Sequence, residues 1–209
     1  LRHVPPLPTG KEMLAGVDPL FEVLQYLYYL TGLPAARLGR TYADWTAREQ
    51  ISAAGLKAES DAAARTETEI DGPYAAMNGR LRDSHDLVHV VSGYGRDLVG
   101  EIGVLAFTFG NSGHRGLGLL ALIGFLRSML PDPDQPMASR AFRRAVRGQF
   151  FAALRAGRRA DFIVGADWEA LLPLPLDEVR ARFGIEPAAG YVEVRSAGAP
   201  DLETGLAAS

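Results

Sequence analysis

The sequence predicts an all-α, single-domain protein, on three observations. Apolar residues recur at helical spacing in one segment after another, and Pro and Gly punctuate the chain between those segments. Strand-like runs are confined to Phe162-Ile163-Val164 and Tyr191-Val192-Glu193-Val194. The length, 209 residues without an internal repeat, suits one domain. The expected architecture is a single-domain bundle of about six to eight helices over residues 1–186, with a loosely held C-terminal tail over 187–209.

Taken in order, Asp18-Pro19 opens the first helix, with aspartate as cap and proline at the first helical position. Gly32-Leu33-Pro34 closes it. A second helix runs from about 34 to 54, with Leu38, Tyr42, Trp45 and Ile51 spaced near one turn. Residues 55–72 are polar and acidic, a linker or exposed helix broken by Asp71-Gly72-Pro73. Tyr74, Met77, Leu81, His85 and Val88 mark a helix that Ser92-Gly93-Tyr94-Gly95 ends, because glycine forms turns readily and helices poorly. Asp97 caps the next, through Phe109. An apolar helix follows to Met129, Ser139 opens a basic one to about Ala156, and Leu176–Phe183 is the last. The stretch from Gly116 to Leu130 is apolar nearly all round, a pattern that favours the buried centre of a bundle over the wall of an apolar tunnel.

Composition narrows the function classes. Hydrophobic residues are 47% and charged residues 22%, which excludes a disordered or collagen-like chain. No cysteine is present, so disulfides, thiolate metal sites and cysteine nucleophiles are excluded. A net charge of −3 offers no global basic field for nucleic acid. The longest apolar run, Gly116 to Leu126, falls short of the roughly 20 residues a bilayer span needs. Leu1 to Pro8 contains no signal-peptide run. Arginine is used almost to the exclusion of lysine (Lys11 and Lys57), which with abundant alanine reads as a GC-rich bacterial genome.

The chemistry concentrates in His85-Asp86-Leu87-Val88-His89, followed by Glu101. On a helix the two histidines lie one turn apart, a spacing that lets both imidazoles reach one metal ion, and Asp86 falls within the same arc of roughly 100°. Glu101 would lie about 18 Å along the axis from His89 on a straight helix, but the Gly93–Gly95 turn can fold the next helix back. Gly100 would allow that helix a close approach. Two histidines with one or two carboxylates suit zinc, with iron, manganese and magnesium as alternatives. A surface coincidence or a hydrogen-bonded histidine pair is the bland alternative. The His-Asp doublet is also found in metal phosphohydrolases, but those need a further upstream histidine, and only His3 precedes.

His85-Asp86-x-x-His89-x11-Glu101, with Gly100 before the glutamate, resembles the signature of the Coq4 family of ubiquinone-biosynthesis proteins. Leu33-Pro34, Leu38-Gly39-Arg40-Thr41-Tyr42-Ala43-Asp44-Trp45, Asp167-Trp168-Glu169 and the segment from Leu176 to Ile185 extend the likeness over about 33 to 186. The resemblance implies a helical protein holding one divalent metal, usually zinc, through His85, Asp86, His89 and Glu101. It implies peripheral association with the membrane that holds polyprenylated quinone precursors, here the cytoplasmic face of a bacterial inner membrane. It implies removal of the C1 carboxyl from a polyprenyl-hydroxybenzoate, alone or while organising other quinone-biosynthesis enzymes. Two alternatives stand beside it: a non-catalytic prenyl-lipid binding or scaffold protein, and a metal phosphohydrolase acting on isoprenyl phosphates.

Further residues bear on an isoprenoid lipid or polyprenylated aromatic acid as partner. Arg82, one turn before Asp86, is the candidate catalytic residue, able to grip a substrate carboxylate or phosphate bidentately or simply to pair with Asp83 or Asp86. Arg140, Arg143, Arg144 and Arg147 share one helical face, while Phe142, Val146, Phe150 and Leu154 mark the other. No acid occurs between Asp134 and Asp161. Such a helix suits an anionic membrane surface or a merely solvated face. Nucleic acid is disfavoured by the acidic remainder, a homodimer is left open, and His114 is expected to be an exposed loop residue rather than a ligand.

Overall fold

Seven helices and no strand occur among the described residues of this computed structural model, which are 30–51, 81, 84–130 and 140–193. They are α1 (Leu38–Arg48), α2 (His85–Ser92), α3 (Leu98–Ser112), α4 (Arg115–Met129), α5 (Arg140–Arg159), α6 (Trp168–Leu171) and α7 (Leu176–Phe183). The all-α expectation holds. Residues 162–164 and 191–193, which carry strand-like composition, are irregular instead, because no neighbouring strand offers them a ladder. An isolated bridge between Arg37 and Pro175 is the nearest approach to one. The helix expected over 19–32 lies outside the described residues except at its end, where Leu30 is fully buried.

α1 is shorter than its pattern at both ends. Ala36 takes φ 66° and Arg37 is extended, so helical geometry starts only at Leu38, and Gln50 at φ 55° closes the far end. No side chain caps α1. Its first amides are satisfied from another part of the chain: Leu38 N donates to Leu174 O and Gly39 N to Leu172 O, both at 2.8 Å. Arg180 of α7 plays the complementary part for α2, donating from Nε to Val91 O at 2.9 Å and from Nη2 to Val90 O at 3.1 Å.

α3 contributes eight buried residues, more than any other described helix, and α5 lies directly on it. A Cβ at Gly157 would stand 2.0 Å from Phe107 O, so the two backbones touch there. Asn111 secures the crossing: Nδ2 donates to Gly157 O, Ala160 O and Asp161 O, and Oδ1 accepts from Ile163 N at 3.1 Å. α4 packs along α3 in the opposite direction, with Gly118 against Phe109 and Gly124 against Ile102.

The expectation of a buried central α4 is overturned: only Ala121 and Ser128 of that helix are buried. Its small residues, Gly118, Ala121, Gly124 and Ser128, face α3, and the larger Leu119, Leu120, Leu122, Ile123 and Leu126 are exposed. His114, expected to be an exposed loop residue, is half-buried and caps α4 by accepting from Leu117 N at 3.3 Å.

The first residues after 186 are tied to the α2–α3 turn. Ala188 N donates to Ser92 O at 2.9 Å, Gly95 N donates to Tyr191 Oη at 3.1 Å, and the Tyr191 hydroxyl donates to Asp97 Oδ2. Residues 194–209 lie outside the described part.

Candidate metal centre

α2 and α3 bring three of the four expected ligands to one point. His85 and His89 project from α2 one turn apart, and Glu101 projects from the first turn of α3. His85 Nε2 stands 3.2 Å from His89 Nε2 and 3.3 Å from Glu101 Oε2, and His89 Nε2 stands 3.5 Å from Glu101 Oε2. The three atoms therefore form a nearly equilateral triangle, the group among the described residues able to hold a metal ion.

Local sequence makes this possible. Gly93 adopts the left-handed φ of 77° that ends α2, with Gly93 N donating to His89 O. Asp97 then caps α3, accepting from Val99 N at 2.9 Å. Gly100 lets the start of α3 press on the turn, since a Cβ there would lie 2.0 Å from Gly95 O. The close approach expected at Gly100 is thus real, and its partner is the turn itself.

His89 is buried and held on two sides. Its Nδ1 lies 3.1 Å from Tyr94 O, and because a carbonyl only accepts, Nδ1 carries the proton. That tautomer leaves the Nε2 lone pair directed at the triangle. The Trp45 ring of α1 stacks on the imidazole, centroids 5.4 Å apart at 28°. His85 and Glu101 are each about one-third exposed, so the triangle opens to solvent on their side.

Electrostatics favour an ionised carboxylate here. Burial would raise the Glu101 carboxyl, but hydrogen bonds and charge from His85 and His89 outweigh it and bring it to about 2. For His85, burial disfavours the imidazolium, yet the Glu101 hydrogen bond and the charges of Glu101 and Asp86 leave its pKa raised. Asp86 is half-buried beside the triangle and is not one of its three corners. Burial raises its carboxyl against the pull of His85, His89 and Arg96. Burial likewise raises the Tyr42 phenol, with the Asp86 charge adding to it, and its hydroxyl has no partner among the described residues.

Arg82, the expected catalytic residue, lies outside the described residues. The exposed Arg96 of the α2–α3 turn has a charge that reaches both His85 and Asp86, a role the sequence reading did not assign. That reading also missed the parts played by Trp45 and the Tyr94 carbonyl. Tyr94 sits in the glycine turn that signalled the fold-back, so it had a sequence cue. Trp45, on another helix, had none.

The family model described as "Coenzyme Q (ubiquinone) biosynthesis protein Coq4" matches residues 7–189. Curated relatives include the mitochondrial ubiquinone biosynthesis protein coq4 of Aspergillus flavus, 31% identical over 194 residues that cover 90% of this chain and 60% of that protein. The corresponding Talaromyces stipitatus protein is 30% identical over 194 residues with the same coverage, and that of Neurospora crassa is 28% identical over 188 residues, covering 49% of its length. This chain therefore spans about 60% of the first of these relatives. A crystal structure from Nostoc punctiforme PCC 73102, of a protein provisionally assigned to ubiquinone biosynthesis, shares the fold. Its TM-score is 0.56 at 21% identity, over 84% of this chain and 78% of that one.

Proposed function

The chain belongs to the Coq4 family of ubiquinone-biosynthesis proteins, and from that premise we propose that it removes the C1 carboxyl of a polyprenyl-hydroxybenzoate at a divalent metal held by His85, His89 and Glu101, with Asp86 as a further carboxylate. The observation that carries the reading is the triangle of Nε2, Nε2 and Oε2, with edges of 3.2–3.5 Å. Ligand atoms at about 2.0–2.1 Å from a tetrahedral ion lie about 3.3 Å apart, so the triangle has the size of one tetrahedral face. Two imidazole nitrogens and one carboxylate oxygen are a donor set that suits zinc, iron or manganese better than magnesium, which favours oxygen donors and water.

A bound divalent ion supplies positive charge for a substrate carboxylate or phenolate and for the charge that develops as CO2 leaves. The chain's own residues prepare the place. Tyr94 O fixes the His89 tautomer, Trp45 shields that imidazole from water, and Glu101 stays ionised. Arg82 and Arg96 are the cations we assign to the substrate's anionic group. In the reaction the bond from ring C1 to the carboxyl carbon breaks, its electron pair stays on C1, and a proton from solvent replaces the lost group.

The test is elemental analysis of the purified protein, mass spectrometry of co-purified lipid, and an assay of CO2 release from the polyprenylated acid. Stoichiometric metal and CO2 release that His89→Ala and Glu101→Ala abolish support the reading. Metal and bound prenyl lipid without CO2 release replace it with a carrier or scaffold for other quinone-biosynthesis enzymes. Phosphate release from isoprenyl phosphates replaces it with a phosphohydrolase.

A further inference from the structure

We propose that α4 and α5 together form a docking face for an anionic phospholipid bilayer, in which the α4 leucines enter the acyl region and an arginine-lined groove takes the lipid phosphates. The proposal goes beyond the metal chemistry and does not rest on it.

α4 inverts the usual arrangement of a surface helix. At about 100° per residue, Leu119, Ile123, Leu126 and Leu130 fall within roughly 60° of one another, and Leu120 and Leu122 flank them. The four central side chains are 45–63% exposed. The opposite face, with Gly118, Ala121, Gly124 and Ser128, is the one that packs on α3. The protein core therefore does not need the large side chains, and they form a continuous apolar ridge in water, the mark of an interaction surface.

Beside the ridge runs a groove of about 600 Å³ lined by Arg143, Arg144, Arg147 and Arg155 of α5, with Met129 and Phe151 among its walls. The Phe125 ring of α4 packs at a tilt on Phe150 of α5 and meets Phe151 edge-on, so ridge and groove belong to one packed surface. The charge is as lopsided as the hydropathy. α4 and α5 carry nine arginines and no acid in a chain of net charge −3, so the remaining residues carry −12.

Four phosphate-gripping guanidinium groups beside exposed leucines complement an anionic lipid surface: charge draws the face down and acyl burial holds it. A second copy on the same face would set one acid-free arginine surface against another, which disfavours self-association. No helix of the described residues is long and apolar enough to cross a membrane. α4 runs antiparallel to α3 with Gly124 against Ile102, next to Glu101. The C-terminal end of α4 therefore lies at the end of α3 that carries the metal triangle, the end that an amphiphile leaving the bilayer would reach.

The experiment is vesicle sedimentation of the full 209-residue chain with phosphatidylcholine alone and with phosphatidylcholine containing about one-third phosphatidylglycerol. The wild type should bind the anionic vesicles, weakly bind the neutral ones, and be released by salt. Each arginine near such a surface is worth about a fivefold change in partitioning, so Arg143→Glu/Arg147→Glu should lower it by at least about tenfold. Leu119→Ser/Leu126→Ser should also weaken binding, but mainly its salt-resistant part. Leu119, Leu126 and Arg147 are exposed and Arg143 is half-buried, and unchanged helical content and melting temperature keep a lost signal from being read as misfolding. Equal binding to both vesicles, or binding indifferent to both variants, overturns the proposal. So does a wild-type dimer in sedimentation velocity that the leucine variant converts to monomer, which would make the ridge a subunit interface. Metal content should be the same in every variant, so failure here leaves the metal reading untouched.

Discussion

Replacing Gly100 with alanine tests the link between the glycine turn and the metal triangle. The added Cβ would stand 2.0 Å from Gly95 O and 2.7 Å from Gly95 C, where ordinary contact begins at 3.4 Å. Both are backbone atoms, so no rotamer change relieves the clash, and α3 and the turn must part by about 1 Å or more. Overpacking of this kind costs about 3 kcal/mol, of which improved helix propensity returns about 1, for a net loss of about 2 kcal/mol without metal. Because Glu101 is the next residue, its carboxylate moves away from both histidines and the triangle no longer closes on one ion. The wild type should gain about 2.7 kcal/mol from metal present at a hundredfold excess over its dissociation constant, and Gly100→Ala should lose most of that gain. Urea unfolding with and without added zinc measures both parts. Gly148→Ala is the control: its Cβ meets nothing within 4 Å in the middle of α5, so it should be neutral or stabilising by up to about 1 kcal/mol. If Gly100→Ala unfolds within about 0.5 kcal/mol of the wild type, or keeps the full response to metal, the close-approach reasoning is wrong.

Other outcomes follow from the same geometry. Glu101→Gln keeps the volume but not the charge, so it should lower metal content and the melting temperature of the metal-loaded protein. The metal-free variant should also melt below the metal-free wild type, because it loses the charge held by His85 and His89, but by less than the metal-loaded forms differ. Wild-type stoichiometry in the variant would remove Glu101 from the ligand set. Burial raises the Tyr94 phenol from 10.0 to about 12. Its stabilising contribution is therefore intact below pH 10 and is lost as pH rises toward 12, by about 3 kcal/mol in all. Tyr94→Phe should flatten that alkaline decline, as followed by urea titration at a series of pH values. Tyr191→Phe removes the hydroxyl that donates to Asp97, and should destabilise by about 1–2 kcal/mol, the low side for a bond to a charged group because the site is half-buried. A loss below about 0.3 kcal/mol would mean the 187–193 segment is held without it.

Much of the site was legible because its grammar is local. The i, i+4 histidines, the glycine turn, the Asp97 cap and the glycine before Glu101 lie within seventeen consecutive residues, and each acts through its own backbone geometry. Helix existence was legible for the same reason: periodicity and caps are properties of short windows. Helix ends were less so. α1 stops short because Ala36 and Gln50 take positive φ, and its first amides bond to Leu172 and Leu174, residues more than a hundred positions away.

Burial was the property that sequence alone could not assign. Apolarity all round α4 is compatible with a core helix and with a helix presenting one apolar face outward, and composition is the same in both. The side toward the core was settled by close packing, since the Phe109 ring of α3 occupies the place of a side chain at position 118 and Ile102 lies close against position 124, so the small face of α4 packs on α3 and the leucines turn to the surface. The same holds for Trp45 on His89 and for the arginine groove between α4 and α5. The sequence by itself determined that the segments of α2, α3, α4, α5 and α7 are helical and that His85, His89 and Glu101 can meet across one turn, because those depend on neighbours in the chain. It did not foresee the short α6, nor separate Asp86 from the three groups that meet. Tertiary structure alone decided what stacks on the imidazole and which apolar helix faces outward, because those depend on atoms that only packing brings together.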